Sequence, residues 1–288
     1  METIDIAGSY RAQWGEGPIW WQNHLYYVDI ESQLVLALDP VRGIEKTWDV
    51  STTVGRVGTV VPRSHGGLVV AGDTGLHFLD PETGGTTAIA DPEPDQADNR
   101  FNDGKCSPDG RFFAGTISLV KRTGAANLYR LDADLSLHSA YTGVTNSNGI
   151  VWSADGATCY YIDTPRQEVT AFDYDPVTGR LNNERTAFST RHISASPDGM
   201  TLDSAGNLWV AFCHGACVIC YDPGTGKQLH RVELPCLETT ACAFGGENLD
   251  ELYVTTGIHK THEEDDAGHL LRIRGLGVTG VPAHPFAG

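Results

Sequence analysis

The 288-residue chain holds 33 glycines and 14 prolines with 40% hydrophobic residues, a composition below the glycine-plus-proline share of low-complexity disorder and suited to a folded globular protein. Its 20 basic residues face 37 acidic ones, a formal net charge of −17. That balance argues against nucleic acid and against an anionic membrane as partners, because both require clustered Lys and Arg. The first residues, METIDIAGSYRAQW, lack the basic start and apolar run of a signal peptide, and no stretch approaches 18 apolar residues. The seven cysteines are an odd number without an export signal, so reduced thiols in a cytoplasmic protein are expected. Cys213, Cys217 and Cys220 crowd around His214 with C-x3-C-x2-C spacing. They lack a second CxxC-type pair and fall in a predicted hairpin, so they read as structural residues rather than as a zinc site.

Taken in chain order, short apolar or β-branched runs recur. GPIWW, LYYVDI, LVLALDP and EKTWDV come first, followed by GTVVP, LVVAGD, GLHFLDP and TTAIA. GKCSP, FFAGTI, NLYRLDA and LHSAYT form a third set, and GIVWS, CYYIDT, VTAFDYDP and ERTAFS a fourth. GMTLD, LWVAFC, CVICYDP and LHRVELP make a fifth, and ACAFG, LYVTTG and HLLRIRG an incomplete sixth. The second runs begin at Leu25, Leu68, Phe112, Cys159, Leu208 and Leu252, spaced by 43, 44, 47, 49 and 44 residues. A near-constant period in the forties with strand content throughout predicts an all-β, six-bladed β-propeller of four-stranded antiparallel blades. PETGG, PVTGR and PGTGK supply hairpin turns between the runs. The strand-like TIDIAGSYRAQ at the N-terminus is expected to join the last blade and close the ring, which removes an exposed edge. Residues 1–288 are therefore expected to form a single domain.

Innermost strands of a propeller line its axis, so residues just before each landmark should converge there. Glu16, Asn102, Asn148 and Asp198 lie 9, 10, 11 and 10 residues before Leu25, Phe112, Cys159 and Leu208. An Asn or Asp before Gly, as in NDG, SNG and PDG, also suits a simple turn. Four oxygen-bearing side chains in phase, one of them a Glu that no turn requires, instead suggest ligands for a hard divalent cation.

GEGPIW (15–20), NRFNDGK (99–105), FAGT (113–116), NSNGIVW (146–152) and SPDGM (196–200) resemble the senescence-marker protein (regucalcin)/gluconolactonase/luciferin-regenerating enzyme family. FDYDPVTGRL, LWVAF, DPGTGKQL and GLGVTGV extend the resemblance over the whole chain. It implies a six-bladed propeller with one divalent metal in the central channel, held by Glu16, Asn148 and Asp198. Ca2+ or Zn2+ is the implied ion, with Mn2+, Mg2+ and Fe2+ also compatible with such a set. It further implies that Arg100 and Asn102 bind substrate, with Asp103 close by, and that Asp198 is the catalytic base.

The expected activity is metal-dependent hydrolysis of a sugar 1,4- or 1,5-lactone to its aldonic acid, with gluconolactone, arabinonolactone, xylonolactone or galactonolactone as examples. The expected protein is a monomer whose partner is that small molecule. A calcium-binding regulator without turnover, and an esterase acting on organophosphates or non-sugar esters, remain alternatives. The sequence carries no G-x-S-x-G, HExxH or P-loop motif that would suggest other chemistry. Two loops depart from or add to the pattern. ISLVKRTGA (117–125) offers Lys121 and Arg122 where many family members have a carboxylate, which bears on substrate identity. IHKTHEEDD (258–266), with His259 and His262, reads as a solvated loop on the metal face.

Overall fold

In the computed structural model, which describes residues 1–258 and 264–288, six four-stranded antiparallel sheets are arranged as propeller blades. Blades 1 to 5 each use four consecutive strands, with innermost strands Gly15–Trp21, Thr59–Pro62, Asn99–Cys106, Ser147–Trp152 and Ser196–Leu202. Blade 6 begins with Thr239–Gly245 and continues through Glu251–Thr256 and His269–Arg274 to the N-terminal strand Thr3–Arg11. Thr3 pairs with Arg274 and Ile6 with Leu271, so the two ends of the chain close the ring as the sequence predicts. Asp5 adds contacts to Arg272 at 2.7 Å and Arg274 at 3.1 Å. These pairs are partly exposed and contribute little beside the backbone ladder.

Burial explains the strand composition. Second strands such as Leu208–Cys213 are buried along their whole length, and outer strands such as Arg180–Ser189 are mostly exposed. The core accordingly lies between blades. Val28 and Val35 of blade 1 pack with Val60, Leu68 and Val70 of blade 2. Phe113 and Leu128 of blade 3 pack with Ile150, Trp152 and Tyr161 of blade 4. Each fully buried large side chain contributes about 1.5–3 kcal/mol. The D-P-x-x-G hairpins are set by aspartate: Asp222 accepts the Gly224 N–H at 2.9 Å and the Thr225 hydroxyl at 2.7 Å. Gly226 then takes the left-handed φ of 70° that a side chain would resist.

The segment after His269–Arg274 does more than the sequence suggests. It crosses the face where the inner strands end. Thr279 and Gly280 hydrogen-bond to Ser204 and Leu249, and Phe286 and Ala287 to Pro62 and Gly110 on the far side of the ring. The Phe286 ring is fully buried among residues of blades 2 and 3.

Candidate metal and lactone site

Five of the six inner strands share one irregularity near their start. Their register shifts between Glu16 and Ile19, Phe101 and Gly104, Ser147 and Ile150, Pro197 and Met200, and Thr239 and Ala241. Bulges of this kind re-aim a side chain and interrupt pairing. They contain Asn102, Asp103, Asn148 and Asp198, and Glu16 borders the first. The N-D-G, S-N-G and P-D-G segments are therefore bulges inside inner strands rather than turns. Their glycines answer to crowding between blades. A Cβ on Gly149 would lie 2.8 Å from the Asp198 carbonyl oxygen, and one on Gly199 would lie 2.3 Å from the Ala241 Cβ.

The predicted residues meet in one buried polar cluster. Glu16, Arg100, Asn102, Asp103, Asn148 and Asp198 are all buried. Asn102 Nδ2 donates to the Ser147 carbonyl at 2.7 Å and to Asn148 Oδ1 at 3.1 Å. Arg100 Nη1 donates to Asn102 Oδ1 and to the Phe101 carbonyl, each at 2.8 Å. Arg100 thus fixes the Asn102 amide, which in turn touches Asn148. Asn148 Nδ2 donates to Thr164 Oγ1 at 2.8 Å, and that hydroxyl donates to the Pro197 carbonyl at 2.9 Å. Thr164 opens the short 3-10 turn Thr164–Arg166. Nothing in the strand period marks it, and only the fold brings it to Asn148.

The carboxylates disfavour one another. Burial first, and then Asp103, push the Glu16 carboxyl up to about 8, against relief from the Gly17 N–H, Arg100 and Trp14. Burial likewise raises Asp198 well above the usual carboxylate range, with Glu16, Asp103 and Glu238 adding to it. Asp103 is raised by burial and relieved by Lys105 and the Gly104 N–H. Arg100 is lowered to about 10, by burial and then by Arg56. Asp198 Oδ1 is buried with no hydrogen-bond partner. A buried unpaired oxygen beside further carboxylates is costly unless a cation completes it. Glu16, Asn148 and Asp198, two carboxylates and an amide whose nitrogen is committed to Thr164, fit a hard divalent ion by that criterion.

Other predicted features lie further out. Arg122 pairs with Asp98 at 3.5 Å, both largely exposed, and Lys121 is exposed with a left-handed φ of 56°. His259 and His262 lie outside the described residues. All seven cysteines are buried and free, and none of the described helices is long and apolar enough to cross a membrane.

Comparison with known proteins agrees with this architecture. The family described as SMP-30/Gluconolactonase/LRE-like region matches residues 14–258. Regucalcin of Gallus gallus is 39% identical over 299 residues, covering 99% of this chain and 98% of the relative. A solved luciferin-regenerating enzyme superposes with a TM-score of 0.92 at 29% identity, with both chains fully covered. A gluconolactonase from Xanthomonas campestris superposes with a TM-score of 0.76 at 23% identity, covering 94% of this chain and 89% of that one. At that identity the last likeness speaks for the fold alone.

Proposed function

Because the chain belongs to the SMP-30/gluconolactonase/LRE-like family, we propose that it is a divalent-metal-dependent hydrolase that opens a sugar lactone to its aldonic acid. The observation that carries this reading is the buried, unpartnered Asp198 Oδ1 among Glu16, Asp103 and Asn148. A divalent cation held by Glu16, Asn148 and Asp198, Ca2+ or Zn2+ first among the candidates, would supply Lewis-acid polarisation of the lactone carbonyl.

The chain's own residues do the rest. Asp198 accepts the proton of the attacking water at its carboxylate oxygen, the role of a general base. Asn148 is held in one orientation by Thr164 and by the Asn102 amide that donates to its Oδ1, which leaves a second lone pair of that oxygen for the cation. Asn102 and Arg100, already linked to each other, exchange part of their internal hydrogen bonds for substrate hydroxyls, and Asp103 lies beside them as an acceptor. Placing the ester and the water together in a buried site lowers the entropic part of the barrier. The free cysteines suit a reducing, cytoplasmic setting.

A calcium-binding role without turnover is the second reading, favoured by the relatives named regucalcin. Proton release from pentono- and hexonolactones, with and without chelator, separates the two. Turnover that chelator abolishes and added cation restores supports the hydrolase. Cation binding with no lactone opened above the chelated control rejects it.

A further inference from the structure

The hairpin between Leu208–Cys213 and Cys217–Asp222 rises on the face where the inner strands begin. Beside it, Glu238 precedes the inner strand of blade 6, and the two backbones form a bridge at Cys213 and Glu238. The Cys213 thiol donates to Glu238 Oε2 at 3.3 Å, and His214 Nδ1 lies 2.6 Å from the same oxygen. Sulfur, imidazole nitrogen and carboxylate oxygen all lie within 4.8 Å of one another. Glu238 is 1% exposed and Cys213 6%, while the His214 side chain is half exposed. The site is therefore buried on two sides and open on the third. His214 sits at a left-handed φ of 64°, a conformation that costs energy for a non-glycine residue. Cys217 and Cys220 belong to the following strand, where they pair across to Phe212 and Trp209.

We propose that Cys213, His214 and Glu238 form a second metal site that takes a borderline divalent cation such as Zn2+. The donor set is the basis of the assignment. Thiolate and imidazole select Zn2+-like ions, and three protein ligands with an open side leave a fourth position for water. The axial set of two carboxylates and an amide is hard by comparison and selects differently. As the metal–sulfur bond forms, the thiol proton leaves to solvent, and the charge on Glu238 that now faces that thiol and the imidazole is met by the cation. The cysteine spacing alone points away from zinc because it lacks a second CxxC-type pair and falls in a hairpin. In the proposed set Cys217 and Cys220 take no part, and a carboxylate from the neighbouring blade joins Cys213 and His214.

This proposal does not depend on the lactonase reading, and its test reads sulfur coordination rather than activity. Metal-free protein is titrated with CoCl2 and followed by the near-ultraviolet sulfur-to-cobalt charge-transfer band. The band should saturate, persist in Asn148→Ala, and be absent in Cys213→Ser. In His214→Ala, at a half-exposed side chain, saturation should need at least about tenfold more Co2+, since losing a ligand costs no less than losing its outer-shell support. Absence of the band in the wild type, its survival in Cys213→Ser, or its loss in Asn148→Ala would each overturn the assignment. The last result would make Cys213 a ligand of the axial ion instead.

Discussion

At the ends where the inner strands begin, Glu16, Asp103 and Asp198 crowd together, each with its carboxyl raised by burial. Towards the opposite ends of the inner strands, Trp20, Trp152 and Phe244 line an apolar cavity of about 350 Å³ that Val281 and His284 of the C-terminal segment also border. The polar end tolerates an unpaired buried oxygen and mutually repelling carboxyls. The apolar end is strapped by a chain segment anchored through a fully buried Phe286. Buried polar groups and apolar packing are thus separated along the inner strands: one end leaves a carboxylate oxygen unpaired, and the other is filled by apolar side chains and the C-terminal segment.

A matched pair of truncations separates the two ends with the largest expected effect. Asp198→Ala should lower kcat by roughly 10²–10⁴, the range for loss of a general base, and leave the unfolding midpoint in denaturant at or above that of the parent. Phe286→Ala should do the reverse, costing about 3–5 kcal/mol of stability while the folded protein keeps the proposed activity's kcat. Equal stability losses in both would show that the two ends are not divided in this way. A smaller effect is expected at Thr164. Thr164→Val removes the hydroxyl that holds Asn148 Nδ2 and should weaken cation binding about 10- to 100-fold by calorimetric titration, with unchanged affinity arguing against a supporting role. The smallest is Asn102→Ala, which removes hydrogen bonds worth about 0.5–1.5 kcal/mol. It should raise KM roughly 2- to 10-fold with a lesser change in kcat, and a KM equal to the parent's would remove Asn102 from substrate binding.

The polar end was also the more legible one in the sequence. The spacing of the second strands carries the blade repeat, because each blade must bury an equivalent run between its neighbours. The shared offset of Glu16, Asn102, Asn148 and Asp198 carries the convergence on the axis. That these residues occupy bulges rather than turns was not legible, since Asn-Gly and Asp-Gly serve both and the choice depends on how closely Gly149 and Gly199 approach the next blade. Thr164 and Glu238 gave no signal either. One reaches Asn148 from a turn 16 residues on, and the other reaches Cys213 across 25 residues and a blade boundary. The strap that ends at Phe286 was hidden for the same reason. Its contacts with Pro62 and Gly110 span the ring, and no local pattern encodes a contact of that range.

The division between the two ends is decided by the thermal unfolding midpoint of chelated protein, compared between the parent and Asp198→Asn with and without Ca2+. Without cation the variant should be the more stable, because it lacks a carboxyl that burial, Glu16 and Asp103 all disfavour as an anion. Added Ca2+ should raise the parent's midpoint and leave the variant's nearly unchanged, by mass action on the folded state. A chelated parent at least as stable as the variant, with neither responding to Ca2+, would mean that Asp198 neither strains the fold nor holds a cation.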